Sequence, residues 1–250
     1  MIFDLTTVII VSLQSISLIF LAWMIIDIFR LPKITHVKKF LLLISIGNLI
    51  GGVCVLIDVF FGNNLETCTL AMYGEDYGQQ VAITASAALG NFSYKSIVEL
   101  DLHGQSNCVK KSIIFTVLIS IVLTIPPLFP FFFYNYGYEE QCIYIRNHKF
   151  TITEYFQGSV ITGVVQFVPF LLISIISYFR LVRHLQDNYS TALRKTKRLS
   201  IRKLFYYPLA QFISYFPAVF WWLDILITGD TFFGILISDI ASGMISSAGL

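Results

Sequence analysis

Apolar residues gather into seven long runs, and polar residues into the short stretches between them. The runs cover roughly Leu5–Phe29, Phe40–Phe61, Thr69–Leu100, Ser112–Phe133, Phe156–Leu181, Leu204–Ile227 and Thr231–Leu250. Crossing ~30 Å of hydrocarbon at ~1.5 Å per residue takes ~20 residues. Every run meets that length. In lipid a backbone must satisfy its own polar groups, so runs of this kind form helices. The pattern predicts an all-α fold, a seven-transmembrane helix bundle forming one domain over residues 1–250. The third run is the least apolar.

Charge predicts the direction of threading. All of the 17 Lys and Arg except Lys95, Arg146 and Lys149 lie in three connections. Arg30, Lys33, Lys38 and Lys39 follow run one. Lys110 and Lys111 follow run three. Arg180, Arg183, Arg194, Lys195, Lys197, Arg198, Arg202 and Lys203 follow run five. Basic residues stay on the cytoplasmic side. The N-terminus is therefore expected outside and the C-terminal end inside. Without a crossing at run three, some basic connections would fall on the wrong side.

Composition sharpens the picture. Hydrophobic residues make up 56% of the chain and charged residues 13%, too little charge for a soluble domain of 250 residues. The net charge of +2 matters less than its placement. The basic connections already have a topological role, so nucleic acid is not expected as a partner, whereas anionic headgroups of the lipid bilayer are. Met1–Asp4 lacks a basic leader region, so run one is expected to be an uncleaved span. The Asn91 and Asn188 glycosylation patterns fall where this topology forbids the modification.

Several polar groups lie where lipid would exclude them. Glu75, Asp76, Gln79 and Gln80 sit in the outer third of run three. Buried carboxylates are costly without water or a partner. These four are candidate ligand-binding residues in a polar outer cavity. The alternative is that run three begins later and Glu75 and Asp76 are solvated at its mouth. Asp239, mid-span in run seven among Ser238, Ser242, Gly243 and Ser246, is expected to face the interior and joins the candidate ligand set. At the inner end of run three, Glu99 and Asp101 could latch onto basic residues near run six, or could snorkel. Cys68 and Cys142 both face the oxidising side. They either pair, stabilising the fold by roughly 4 kcal/mol in the chain-entropy picture, or remain two separate thiols. Pro169 in run five, and Pro208 and Pro217 in run six, interrupt backbone ladders and are candidate hinges or static kinks.

Taken together, these features resemble a G-protein-coupled receptor. Ser214-Tyr215-Phe216-Pro217 resembles the Cys-Trp-x-Pro motif of that family's sixth helix, with Cys and Trp replaced. Tyr207-Pro208, followed nine residues on by Phe216-Pro217, is most similar to the cAMP-receptor-like group of protist and fungal receptors. The likeness covers the whole chain as topology and about 15 residues as motif. Run three ends Val98-Glu99-Leu100-Asp101, without Asp/Glu-Arg-Tyr, which departs from rhodopsin-like members and agrees with the cAMP-receptor-like group. The resemblance implies a Cys68–Cys142 bond and a switch around Tyr215 and Pro217. It implies a small extracellular ligand and a heterotrimeric G protein that meets Glu99, Asp101, Arg198, Arg202 and Lys203. It implies a multi-pass protein of the plasma membrane, with no cofactor, no metal and no enzymatic activity. The chain stops at Leu250, at or inside the end of run seven, so a longer natural chain is expected.

Other seven-helix or bundle functions fit less well. A retinal protein needs a lysine in run seven, and there is none. A haem bundle needs paired intramembrane histidines, whereas His36, His103, His148 and His184 lie in loops or at boundaries. An intramembrane hydrolase would have only Asp58 and Asp239 to use, with no motif around either. The alternatives that remain are a small-solute transporter and a non-signalling structural membrane subunit.

Overall fold

The computed structural model describes residues 5–30, 35–62, 64–98, 105–124 and 168–188. Every described element is an α-helix. They are α1 (Leu5–Phe29), α2 (His36–Phe61), α3 (Leu65–Val98), α4 (Gln105–Thr124) and α5 (Val168–Asn188). Three stretches are long and apolar enough to cross a membrane: Val11–Phe29, His36–Phe61 and Asn107–Thr124. The chain is a membrane protein by that measure. The sixth and seventh runs, and the count of seven, lie outside the described residues.

The helices do not stop where the apolar runs stop. α1 has the bounds of its run. α2 starts four residues before its run, at His36, because Thr35 caps it. Thr35 is extended (φ −67°, ψ 161°), and its hydroxyl accepts from the Lys38 N–H at 3.5 Å. α4 starts at Gln105, not Ser112, so Lys110 and Lys111 lie on its second turn and not in a loop. α5 likewise continues through Arg180 and Arg183 to Asn188. The reason is common to both ends. Hydropathy marks where side chains leave hydrocarbon, but the backbone ladder continues into the headgroup zone, where long cationic side chains reach water.

α3 is the centre of the described bundle. It packs against α2, α4 and α5, while α1 packs on α2. Val81 through Ala87 are all buried, so the middle of α3 is enclosed on every side. This accounts for its weak hydropathy: an enclosed helix faces protein, and protein can partner polar groups that lipid cannot. By contrast, α1 turns Leu13, Ile16, Phe20 and Trp23 outward. Such exposed apolar residues suit the hydrocarbon of a bilayer.

Two glycine pairs hold α2 against α3. Gly47 and Gly51 are four apart in α2, and Gly74 and Gly78 are four apart in α3. A Cβ on Gly47 would lie 2.7 Å from the Gly78 carbonyl oxygen and 2.9 Å from the Ala82 nitrogen. One on Gly78 would collide with the Gly47 carbonyl and the Gly51 backbone. One on Gly74 would collide with the Cys54 thiol. The two backbones therefore touch. Lipid tails give helices no hydrophobic drive to associate, so close approach and dispersion must supply it. As numbers rise along α2, those of its α3 neighbours fall, from Phe92 at Phe40 to Gly74 at Cys54, so the helices run antiparallel.

Below the glycines the gap fills with side chains. Phe40, Ile44, Ala82, Ala85, Leu89, Phe92 and Val109 form a buried cluster joining α2, α3 and α4. Phe40 is fully buried, with its ring 5.7 Å from that of Phe92. His36 meets the same Phe92 ring edge-on at 5.9 Å. On the far side of α2, the Gln14 amide fills the notch at Gly52, where a Cβ would collide with it.

Candidate functional site

The polar segment of α3 is organised along the helix. Gln79 Nε2 donates to Glu75 Oε1 at 2.8 Å, and Gln80 Nε2 donates to Thr84 Oγ1 at 3.2 Å. Both are i, i+4 pairs. Glu75 and Gln79 lie toward α2: a Cβ on Gly51 would be 3.4 Å from the Glu75 carbonyl oxygen and 3.9 Å from Gln79 Cγ. Gln80 is bonded to Thr84, which lines a cavity shared with α4 and α5. Consecutive helical residues are rotated by roughly 100°, so Gln79 and Gln80 occupy different faces. Glu75 and Asp76 are half-buried; Gln79 and Gln80 are buried.

Among the described residues, two cavities border this segment. One, ≈ 450 Å³, lies between α2, α3 and α4 and is lined by Cys54, Ile57, Tyr73, Tyr77, Ile121 and Thr124 among others. Its walls are almost wholly apolar apart from tyrosine and threonine hydroxyls and a thiol. The four polar candidates do not line it. The other, ≈ 550 Å³, lies between α3, α4 and α5, and its lining includes Thr84, Ala88, Asn91, Asn107, Lys111 and Phe115.

Other predicted residues fall as follows. Cys68 is buried near the start of α3. The free thiols among the described residues are Cys54 and Cys108, and Cys68 is not one of them. Pro169 is the second residue of α5, and the residues that would form the other arm of a hinge there lie outside the described residues. Cys142, Glu99, Asp101, Arg198, Arg202, Lys203, Pro208, Tyr215, Pro217 and Asp239 also lie outside them. Asp27 pairs with Arg30 at 3.8 Å on the exposed end of α1.

Several buried polar groups escaped sequence reasoning. Gln14 is fully buried, and neither of its amide atoms has a hydrogen-bond partner among the described residues. Asn48 Nδ2, one turn from Gly52 along α2, is also without one. Other hydroxyls turn back onto their own helix. Ser45 donates to the Leu41 carbonyl at 2.7 Å, Ser120 to Thr116 at 2.7 Å and Thr124 to Ser120 at 2.8 Å. The recognisable signal for the α2–α3 contact was the repeated Gly-x-x-x-Gly spacing, which lies in plain view in runs two and three. No protein-family model matches the chain, and no curated protein sequence matches it.

Proposed function

We propose that this chain is a seven-helix G-protein-coupled receptor that senses a small extracellular ligand and activates a cytoplasmic G protein. One observation carries the reading furthest. α3, the run weakest in hydropathy, lies antiparallel along α2, from Cys54–Gly74 to Phe40–Phe92. A partner that follows a spanning helix over that length crosses the membrane with it. With run three as a crossing, the basic connections alternate consistently across seven runs, the N-terminus lies outside and the protein is multi-pass; the receptor reading places it in the plasma membrane.

Ligand would enter from the outer mouth, near the Glu75–Gln80 segment and Asp239, under a loop pinned by Cys68 and Cys142. It would act by binding one arrangement of the bundle more tightly than the other. Run six, with Pro208 and Pro217, would supply the moving element. Glu99, Asp101, Arg198, Arg202 and Lys203 would meet the G protein. The test is a ligand-screened nucleotide-exchange assay with purified G protein, run beside solute uptake into vesicles. Ligand-dependent exchange supports the receptor. Uptake without exchange favours a small-solute transporter, a reading that draws on the buried Gln14 amide and Asn48 Nδ2, which have no partner among the described residues. Neither activity would leave a structural membrane subunit.

A further inference from the structure

The cavity between α3, α4 and α5 has two chemically distinct parts. At the α4 N-terminal end stand Lys111, Asn107 and, across from them on α3, Asn91, all exposed. One turn further along α4, about 6 Å, stands Phe115, opposite Phe170 and Ile173 of α5. Phe115 is 59% exposed and Ile173 44%, so this part opens on the apolar outer surface of the helices. A volume of ≈ 550 Å³ is within the range of true ligand clefts, roughly 300–1,000 Å³.

We infer that this groove holds an anionic membrane phospholipid, its headgroup at Lys111, Asn91 and Asn107 and one acyl chain along Phe115, Phe170 and Ile173. Charge and placement choose this occupant. Lys111 supplies a cation, Lys110 a second exposed one beside it, and the N-terminal end of α4 adds its positive dipole. The asparagine amides can donate to phosphate or glycerol oxygens. A free phosphate would satisfy the polar end and leave the apolar walls unused. A second copy of this chain would bring its own Lys110 and Lys111 to the same rim, where like charges repel. The inner leaflet is assigned by the orientation proposed above; binding itself rests only on the groove.

The test uses the full chain in detergent micelles, with native mass spectrometry reading retained lipid. Phosphatidylserine is titrated against phosphatidylcholine of the same chains and against inorganic phosphate. Phosphatidylserine is expected to be retained in preference to both. Lys111→Gln should weaken its retention about fivefold, as expected for one cation near a charged headgroup. Lys95→Gln, an exposed lysine of α3 outside the groove, should leave it unchanged. Ala88→Phe should fill the groove and reduce retention of either lipid. If thermal unfolding shows that this variant is misfolded, the exposed Lys111 position decides the matter. Equal retention of the two phospholipids, equal loss in the two lysine variants, or retention unaffected by Lys111→Gln would each overturn the inference. Phosphate bound as tightly as phosphatidylserine, or a lipid-insensitive dimer, would overturn it too. Neither ligand nor G protein enters this measurement, so a silent signalling assay leaves its outcome intact.

Discussion

Gly78→Ala should destabilise the bundle, whereas Gly90→Ala should not. Both substitutions add one methyl group to the same helix, and alanine is the better helix former by roughly 1 kcal/mol. They differ in what the methyl meets. At Gly78 it collides with the Gly47 carbonyl and the Gly51 backbone. Neither can rotate away, so α2 and α3 must separate along their seam. Overpacking of this kind costs about 1–3 kcal/mol, and rigid backbone on both sides puts the seam at the upper end. Offsetting the propensity gain leaves a net loss of about 2 kcal/mol. At Gly90 the methyl would sit 3.5 Å from Ser177 Cβ and 3.8 Å from the Ser174 backbone, ordinary contact distances. That variant should be neutral or more stable by up to about 1 kcal/mol. Thermal unfolding in detergent, followed by labelling of the half-buried Cys54 thiol, measures both. A loss of about 2 kcal/mol corresponds to a Tm lower by roughly 4–8 °C for a chain of this size. Equal midpoints for the two variants would refute backbone contact at the seam.

Three further outcomes follow from the packing. Gln14→Leu replaces a fully buried amide without partners by an apolar group of similar size, so it should raise the unfolding midpoint, by about 1 kcal/mol in stability; a lower midpoint would mean that the amide is satisfied. Phe40→Ala empties a fully buried site beside Phe92 and should cost about 3–5 kcal/mol, read by the same melt; a loss below 1 kcal/mol would show that the cluster collapses to fill the space. Cys68→Ser and Cys142→Ser, made singly, should each reduce surface delivery or ligand response to the same degree, measured by surface labelling and nucleotide exchange; normal behaviour of both would remove the proposed bond.

The sequence made some elements of this fold readable and concealed others, for physical reasons. α1 has the bounds of its run because apolar residues dominate it and Asp27 is its only charged residue. The start of α4 was misplaced by seven residues because Gln105–Lys111 is polar, yet an α-helical ladder tolerates polar side chains wherever they reach headgroups or water. The glycine seam was missed because glycine scores as neither strongly apolar nor polar, so hydropathy is blind to backbone contact. Of the four polar residues of α3, Gln79 and Gln80 are buried and Glu75 and Asp76 half-buried. Helical spacing allows both i, i+4 pairs, Glu75 with Gln79 and Gln80 with Thr84, but does not fix which neighbouring helix each face meets. The groove at Lys111 was hidden for a related reason: its walls come from three helices distant in sequence.

Where main chain rests on main chain, no rotamer is available to switch. α2 and the middle of α3 are therefore a stator, two rods that keep their relative position because neither can turn at the seam. Among the described residues, the contacts free to slide and repack without breaking that frame are the side-chain-filled ones that α3 makes with α4 and α5.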